Sequence, residues 1–141
     1  MIILAVDYGD ARTGLAVCDK HEMLASPVEV VHQYNKDKVI ARIAEVAAEY
    51  RAERIVVGNP INMNGTQGPR SELCTEFAKN LEQTVGIPVV LWDERSTTVS
   101  AHNYLNVTDT RGKKRKNVVD AVAATIILEN YLQYKKNNKE E

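Results

Sequence analysis

Three acidic positions in the chain could together hold a divalent cation. Asp7 ends a short apolar run, and Asp93 and Glu94 follow a second one. Asp120 stands in a stretch, 118–132, whose only other charge is Glu129. Two carboxylates about 4 Å apart repel by roughly 4 kcal/mol at an effective dielectric constant near 20, so a fold that gathers acids needs a cation to offset the repulsion. Hard oxygen ligands suit Mg²⁺ or Mn²⁺, and such sites commonly position phosphate groups.

Each of these acids also has a purely structural explanation. Asp7 lies close to Gly9 and could be a turn residue. Asp93 or Glu94 could cap a following helix, and Asp120 at the start of a helix would suit the helix dipole. The residues alone leave both interpretations open, and they do not choose between Asp93 and Glu94. The coincidence of three such acids favours the cation site.

Basic residues accompany the acids. The segment 111–116 holds five Lys and Arg in six positions and leads directly to Asp120. We expect it to be a polar loop, and in that position Lys113, Lys114, Arg115 and Lys116 could follow a nucleic-acid backbone, although such a run can also be merely solvated. Arg12 and Arg95 adjoin the acids at the strand ends and could bind phosphate oxygens or form ordinary salt bridges.

Hydrophobic periodicity predicts the elements that would position these residues. The first two strands are joined by too few residues for a parallel return, so an antiparallel start is expected, followed by alternating strands and helices. This order indicates an α/β protein with one five-stranded mixed sheet and helices on both faces. We expect strands near 2–6, 15–18, 25–31, 54–58 and 88–92, and helices near 39–50, 73–81, 96–105 and 118–133.

Length and composition fit one globular domain. The 141 residues are 44% hydrophobic and 26% charged, which argues against disorder. We expect a domain over 1–134 and a disordered polar tail at 135–141. The two cysteines are far apart and favour a reducing compartment, and neither a signal peptide nor an apolar run of membrane-spanning length is apparent. The chain is therefore expected in the cytoplasm, with no membrane partner.

Net charge excludes one class of function. A formal charge of −1 is not that of a protein that binds nucleic acid by being basic overall. The positive charge is unevenly distributed, however. Five positive charges lie in 111–116, so the rest of the chain carries a net charge of −6. A nucleic acid would therefore be attracted along one path.

The loop 58–68 is rich in Asn and Gly and follows a predicted strand. It lacks the G-K-[ST] ending of a phosphate-binding P-loop, so no nucleotide cofactor is expected there. We interpret it as a substrate-flanking loop in which Asn62 is a candidate contact.

Four motifs in this chain resemble those of the YqgF/RuvX family of ribonuclease-H-like bacterial proteins, and the resemblance runs from residue 2 to about 133. The motifs are VDYGDARTG at 6–14, VGNPINMNG at 57–65, DERSTT at 93–98 and VDAVAATIIL at 119–128. The resemblance implies a five-stranded mixed sheet with helices on both faces. It also implies either maturation of pre-16S ribosomal RNA or resolution of Holliday junctions.

The resemblance assigns roles to the acids as well. It implies that Asp7, Glu94 and Asp120 hold Mg²⁺ or Mn²⁺ for catalysis, which selects Glu94 over Asp93. Related resolvases commonly carry a fourth acid one helical turn from the last one. Asn117 and Ala123 occupy those positions here, which suggests a single stable metal.

The sequence therefore predicts a metal-dependent endonuclease that processes the 5′ end of pre-16S rRNA. The alternatives are a Holliday junction resolvase acting on branched DNA and a non-catalytic RNA-binding module. A monomer is favoured over a dimer, because no extra apolar face is apparent in the sequence. An actin-like ATPase needs two such domains, which 141 residues cannot supply.

Overall fold

The computed structural model of the protein describes residues 1–60, 68–93 and 112–138, with side chains except at 112–121 and 138. Five strands form one sheet in the order β3-β2-β1-β4-β5. Their bounds are Ile3–Asp7 for β1, Arg12–Cys18 for β2, Ala25–His32 for β3, Arg54–Asn59 for β4 and Val89–Asp93 for β5.

The sheet is mixed, as the sequence predicts. β1, β2 and β3 pair antiparallel, while β1 pairs parallel with β4 and β4 pairs parallel with β5. The short connections between the first three strands enforce the antiparallel part, and an intervening helix allows each parallel return. β1 lies at the centre, so the residue that ends it emerges in the middle of one edge of the sheet.

Two helices follow the first three strands, and their ends are set by local signals. α1 spans Lys36–Tyr50 and begins where the Asn35 side chain accepts a hydrogen bond from the Lys38 backbone N–H at 3.1 Å. α2 spans Pro69–Val85 and ends at Gly86, whose φ of 74° is a left-handed conformation that glycine adopts without strain. The predicted positions of both helices are confirmed.

The last helix is longer than its apolar spacing predicts. α3 spans Gly112–Asn138, so the interpretation of 113–116 as loop is wrong. Lys and Arg are good helix formers, and no Pro or Gly interrupts the chain from 113 to 138, so polarity alone does not stop the helix. α3 also includes residues 135–138, which were expected in the disordered tail. The remaining tail residues, 139–141, lie outside the described residues. The helix expected near 96–105 lies outside the described residues.

Side-chain alternation along the strands divides the interior into two apolar layers. On β1, Leu4 and Val6 face α1 and α2, while Ile3 and Ala5 face α3. All four side chains are fully buried. The expected helices on both faces of the sheet are thus confirmed, with α1 and α2 on one face and α3 on the other.

Both cysteines belong to this interior. Cys18 and Cys74 are both buried, as is common for cysteines that pack like small apolar side chains. Burial raises the pKa of the Cys18 thiol, which keeps it protonated. Among the helices of the described residues, none is both long and apolar enough to cross a bilayer.

An ion pair anchors the C-terminal part of α3 to the turn between β2 and β3. The Lys135 side chain is only 4% exposed, and its Nζ lies 3.1 Å from Oε1 of Glu22. The Met1 amino group donates to the other oxygen of the same carboxylate at 2.9 Å. Burial by itself would raise the pKa of Glu22, but these two donors outweigh it and the pKa is lowered.

We predict that Glu22→Gln lowers the free energy of unfolding at pH 7 by about 2 kcal/mol, because it leaves a buried ammonium without its charge partner. A carboxyl whose pKa is lowered on folding stabilises the protein above its unfolded pKa, and this contribution is lost as the pH falls through the folded value. The difference between wild type and variant should therefore shrink as the pH falls below the ordinary glutamate pKa of about 4.3, and vanish once Glu22 is protonated in the folded protein. Urea unfolding at several pH values measures it.

Glu45→Gln provides the matched control, since Glu45 is 68% exposed and pairs with Arg42 on the surface of α1. That change should alter stability by less than about 0.5 kcal/mol. Equal losses in the two variants would contradict the anchoring role of Glu22.

Candidate functional site

The site is built around Asp7, the last residue of the central strand. Ile3 and Ala5 face α3, and the two-residue period of a strand puts Asp7 on the same face. The carboxylate is partly buried at the edge of the sheet where β1 and β4 end. The acid predicted first from the sequence therefore lies beneath the helix that carries Asp120.

Both neighbouring strands place a glycine beside Asp7. Gly14 of β2 pairs directly with Asp7, and the register of β1 with β4, in which Val6 pairs with Val57, puts Gly58 on its other side. Glycines allow a ligand to come close to the backbone, because no side chain projects from them. Neither neighbouring strand therefore projects a side chain beside the Asp7 carboxylate, and both glycines are buried.

The direction of α3 follows from two contacts. Lys135 pairs with Glu22 near Met1, beyond the start of β1. Closer to the sheet, Arg54 donates from Nη1 to the Tyr131 hydroxyl oxygen at 2.7 Å, and Arg54 pairs with Ile3. α3 therefore runs antiparallel to β1, with lower-numbered residues nearer to Asp7.

Helix and strand dimensions then place Asp120 and Asp7 towards the same edge of the sheet. From Tyr131 back to Asp120 the helix advances about 17 Å at 1.5 Å per residue. From Ile3 to Asp7 the strand advances about 13 Å. The two lengths are similar, so both acidic positions lie towards the same edge of the sheet.

Helical periodicity puts Asp120 in line with the buried stripe of α3. Ala124, Ile127 and Tyr131 pack on the sheet, and position 120 lies four residues before Ala124 on the same side of the helix. An apolar stripe that continues into an acid at the edge of the sheet is the pattern expected when the acid serves a site. The side chain of Asp120 itself is outside the described set.

The two faces of β5 separate Asp93 from Asp7. Val90 and Trp92 pack in the layer beneath α3, whereas Val89 packs in the layer of α1 and α2. Asp93 shares the alternation of Val89 and pairs with Asn59, so it lies on the face opposite to Asp7. Glu94, which the family resemblance favours, lies outside the described residues.

Of the basic candidates, Arg12 is the one that the structure places beside Asp7. It begins β2 and, two residues from Gly14, shares the face of Asp7 at the same edge. Lys113, Lys114, Arg115 and Lys116 lie in the first turns of α3, described by backbone alone, and Asn62 and Arg95 lie outside the described residues. Among the side chains that are described, no three acidic, histidine or cysteine groups meet in one place.

Sequence reasoning missed the contacts that α2 makes with this edge. The Ser71 hydroxyl donates to Oδ1 of buried Asn59 at 2.6 Å, which ties the end of β4 to the first turn of α2. Arg70 in the same turn donates to the Tyr8 carbonyl oxygen and pairs with Asp10 at 2.8 Å. The position of Arg70 in the sequence could have indicated this contact. Arg70 follows the loop 58–68 and comes directly after Pro69, the first residue of α2.

Comparison with known proteins agrees with this geometry. The family model described as RuvX, Holliday junction resolvase, matches residues 1–134. A protein of Ruminiclostridium cellulolyticum named "Putative pre-16S rRNA nuclease" is 41% identical over 140 residues, with 99% of each chain covered. A Bacillus subtilis protein of the same name is 42% identical over 134 residues, covering 94% of this chain and 97% of the relative.

Solved structures show the same fold at low sequence identity. RuvC of Thermus thermophilus superposes with a TM-score of 0.59 at 16% identity, over 95% of this chain and 96% of that one. The fowlpox virus Holliday junction resolvase gives a TM-score of 0.54 at 14% identity, over 95% and 99%. The arrangement of strands and helices is thus that of the ribonuclease-H-like nucleases, as the sequence resemblance implied. Within that class, the chain belongs to the RuvX family.

We predict that Gly9→Ala damages the site more than the fold. An added Cβ would overlap the Arg12 carbonyl oxygen, which is backbone and cannot turn aside, so the turn that follows Asp7 must shift. Overpacking of this kind costs about 1–3 kcal/mol. Thermal unfolding and cleavage assays below the unfolding temperature measure the two effects separately.

Gly86→Ala is the matched control, since it places an alanine at a φ of 74° where α2 ends, at the opposite edge of the sheet. It should destabilise the fold by about 1 kcal/mol and leave the cleavage rate of the folded enzyme unchanged. A Gly9→Ala variant with full activity would show that the turn does not control Asp7.

Proposed function

We propose that this protein is a metal-dependent endonuclease that processes the 5′ end of pre-16S rRNA in the cytoplasm. The observation that carries the proposal is the position of Asp7. Its carboxylate lies at the end of the central strand, flanked by Gly14 and Gly58, at the edge of the sheet towards which the first turns of α3 run. The names of the Ruminiclostridium and Bacillus relatives support the RNA substrate.

The donor set at this edge fits a hard divalent cation. Asp7, Glu94 and Asp120 would supply carboxylate oxygens, which Mg²⁺ and Mn²⁺ prefer. When bound, the metal supplies Lewis-acid stabilisation of the charge that develops on the scissile phosphate. The flanking glycines add no side chain that would hinder the approach of that phosphate. With Asn117 and Ala123 in place of a fourth acid, three carboxylates would hold one metal firmly.

Arg12 would bind a non-bridging phosphate oxygen from the β2 side of the site. It shares the face and the edge of Asp7, and its guanidinium can present two parallel donors to a phosphate. Arg95 and Asn62 are proposed to contact the substrate from the segments that follow β5 and β4. Together these groups would orient the phosphodiester and offset its negative charge.

The basic residues that begin α3 would bind the nucleic-acid backbone. Four cations occupy 113–116, and no acid lies in the first turn of the helix, although the positive end of a helix dipole disfavours cations. This local conflict is relieved when a polyanion approaches, because both the helix end and the side chains attract phosphate. Such placement is more typical of a binding function than of a solvated helix end.

Holliday junction cleavage is the second candidate, because the family description names that activity. A resolvase cuts two strands symmetrically, which generally requires a dimer. The protein is proposed to act as a monomer on single-stranded RNA.

We predict that Asp7→Asn abolishes cleavage while the protein stays folded. Loss of a metal ligand removes several kcal/mol of transition-state stabilisation, so the rate should fall by about three orders of magnitude. Asp37→Asn is the control, since Asp37 is an exposed acid in the first turn of α1. Cleavage is measured with Mg²⁺ or Mn²⁺ on two substrates, an RNA carrying the 16S 5′ extension and a four-way DNA junction.

The proposal requires metal-dependent cutting of the RNA by wild type. Cleavage of the junction alone would transfer the function to branched DNA, and binding of RNA without cleavage would indicate a non-catalytic module. Depletion in the source cell, followed by mapping of the 16S 5′ end, provides the cellular test. Normal ends after complete depletion would contradict rRNA processing.

We predict that replacing Lys113, Lys114, Arg115 and Lys116 by Gln weakens RNA binding and flattens its salt dependence. If all four contact phosphates of a single strand, the slope of log K against log [salt] should decrease in magnitude by about 3. Four exposed lysines elsewhere, replaced together, form the control: Lys20, Lys38, Lys79 and Lys136. Binding at several salt concentrations with Asp7→Asn protein measures the slope without cleavage, and an unchanged slope would show that the segment is only solvated.

A further inference from the structure

Arg70 reaches from the first turn of α2 to the backbone immediately after Asp7. Its Nη2 donates to the Tyr8 carbonyl oxygen, and its Nη1 lies 2.8 Å from Oδ1 of Asp10. The other side of the same peptide is also held, since the Gly9 N–H donates to Oγ1 of fully buried Thr13 at 3.4 Å. The peptide that joins Tyr8 to Gly9 is therefore fixed at both its carbonyl and its N–H.

The same guanidinium also covers the Tyr8 ring. Its central carbon lies 5.1 Å from the ring centroid, within the range of a cation–π contact. The Tyr8 ring in turn stacks on Phe77, with centroids 4.0 Å apart and planes inclined by 12°. Phe77 is fully buried, so this stack, from Arg70 through Tyr8 to Phe77, connects the turn to the rigid interior.

We infer that Arg70 is a positioning residue for Asp7, holding the carboxylate where it can ligate the metal. This inference rests on the metal role of Asp7 proposed above. Asp7 is the last residue of β1, so the residues that follow it help to set the position of its carboxylate. Groups that orient a metal ligand from behind typically change metal affinity by ten- to a hundredfold when they are removed.

Arginine is suited to this task in a way that lysine is not. The planar guanidinium lies flat over a ring while its separate N–H groups donate in the plane to different acceptors. A lysine ammonium is a single point of charge, and it cannot cover the Tyr8 ring and serve both oxygen acceptors at once. Arg70→Lys therefore retains the positive charge but cannot make all three contacts, with the Tyr8 ring, the Tyr8 carbonyl oxygen and Asp10, at the same time.

The decisive experiment measures Mn²⁺ binding by electron paramagnetic resonance in the absence of nucleic acid. Arg70→Lys should raise the Kd for Mn²⁺ about tenfold. Arg42→Lys is the matched control, since Arg42 also donates two hydrogen bonds, to Glu29 at 2.6 and 2.9 Å, and is exposed to a similar degree. It lies on α1 away from Asp7, and its Kd should stay within about twofold of wild type.

Two changes at Tyr8 test the stack independently. Tyr8→Phe keeps the ring and should keep the wild-type Kd, whereas Tyr8→Leu removes the surface beneath Arg70 and should raise it. The cleavage rate of Arg70→Lys should also rise towards that of wild type at saturating Mn²⁺. A purely structural role of Arg70 would lower the unfolding temperature and leave the Kd of the folded protein unchanged.

Wild-type affinity in folded Arg70→Lys and Tyr8→Leu would overturn the positioning role. Failure of the proposed function gives a different result, because Asp7→Asn would then bind Mn²⁺ and cleave like wild type. If Asp7→Asn loses Mn²⁺ while Arg70→Lys retains it, only the inference about Arg70 fails.

Discussion

The two-residue alternation of the central strand is the constraint on which the rest of the structure depends. Because β1 is buried on both faces, Leu4 and Val6 must meet α1 and α2 while Ile3 and Ala5 meet α3. The same alternation assigns Asp7 to the α3 face. The packing of the core therefore also determines the face on which the acid lies. A shift of register by one residue would exchange both apolar layers and move the carboxylate away from α3.

Much of this could be predicted from the sequence, because the relevant signals are local. Short connections enforce the antiparallel start, alternating strands and helices enforce the parallel remainder, and acids at strand ends mark an edge of the sheet. Asp7 and the helix that carries Asp120 were found in this way, without knowledge of any contact. Arg12 was proposed from its proximity to Asp7 in the chain, and the strand alternation places it on the same face as Asp7.

What the sequence could not provide is pairing between distant strands. The residue pattern left Asp93 and Glu94 open and only the family resemblance favoured Glu94, whereas the face that Asp93 occupies is visible in the register of β5 against β4. Gly14 and Gly58, which flank Asp7 without projecting a side chain, are far apart in the chain and are brought beside it only by strand pairing. The basic start of α3 was misassigned because a polar run without an apolar stripe resembles a loop, although its residues favour a helix.

The ion pair between Lys135 and Glu22 fixes the position of α3 along its own axis. A helix is stiff along its axis, so the C-terminal part of α3 and Asp120, about 22 Å apart by the helical rise, move together. A shift of the helix by one residue would move the Asp120 position by about 1.5 Å along the helix axis and by about 100° around it. The alignment of an acid at one edge of the sheet is thereby set by a contact at the other. Weakening of this ion pair is therefore expected to displace Asp120 before the protein unfolds.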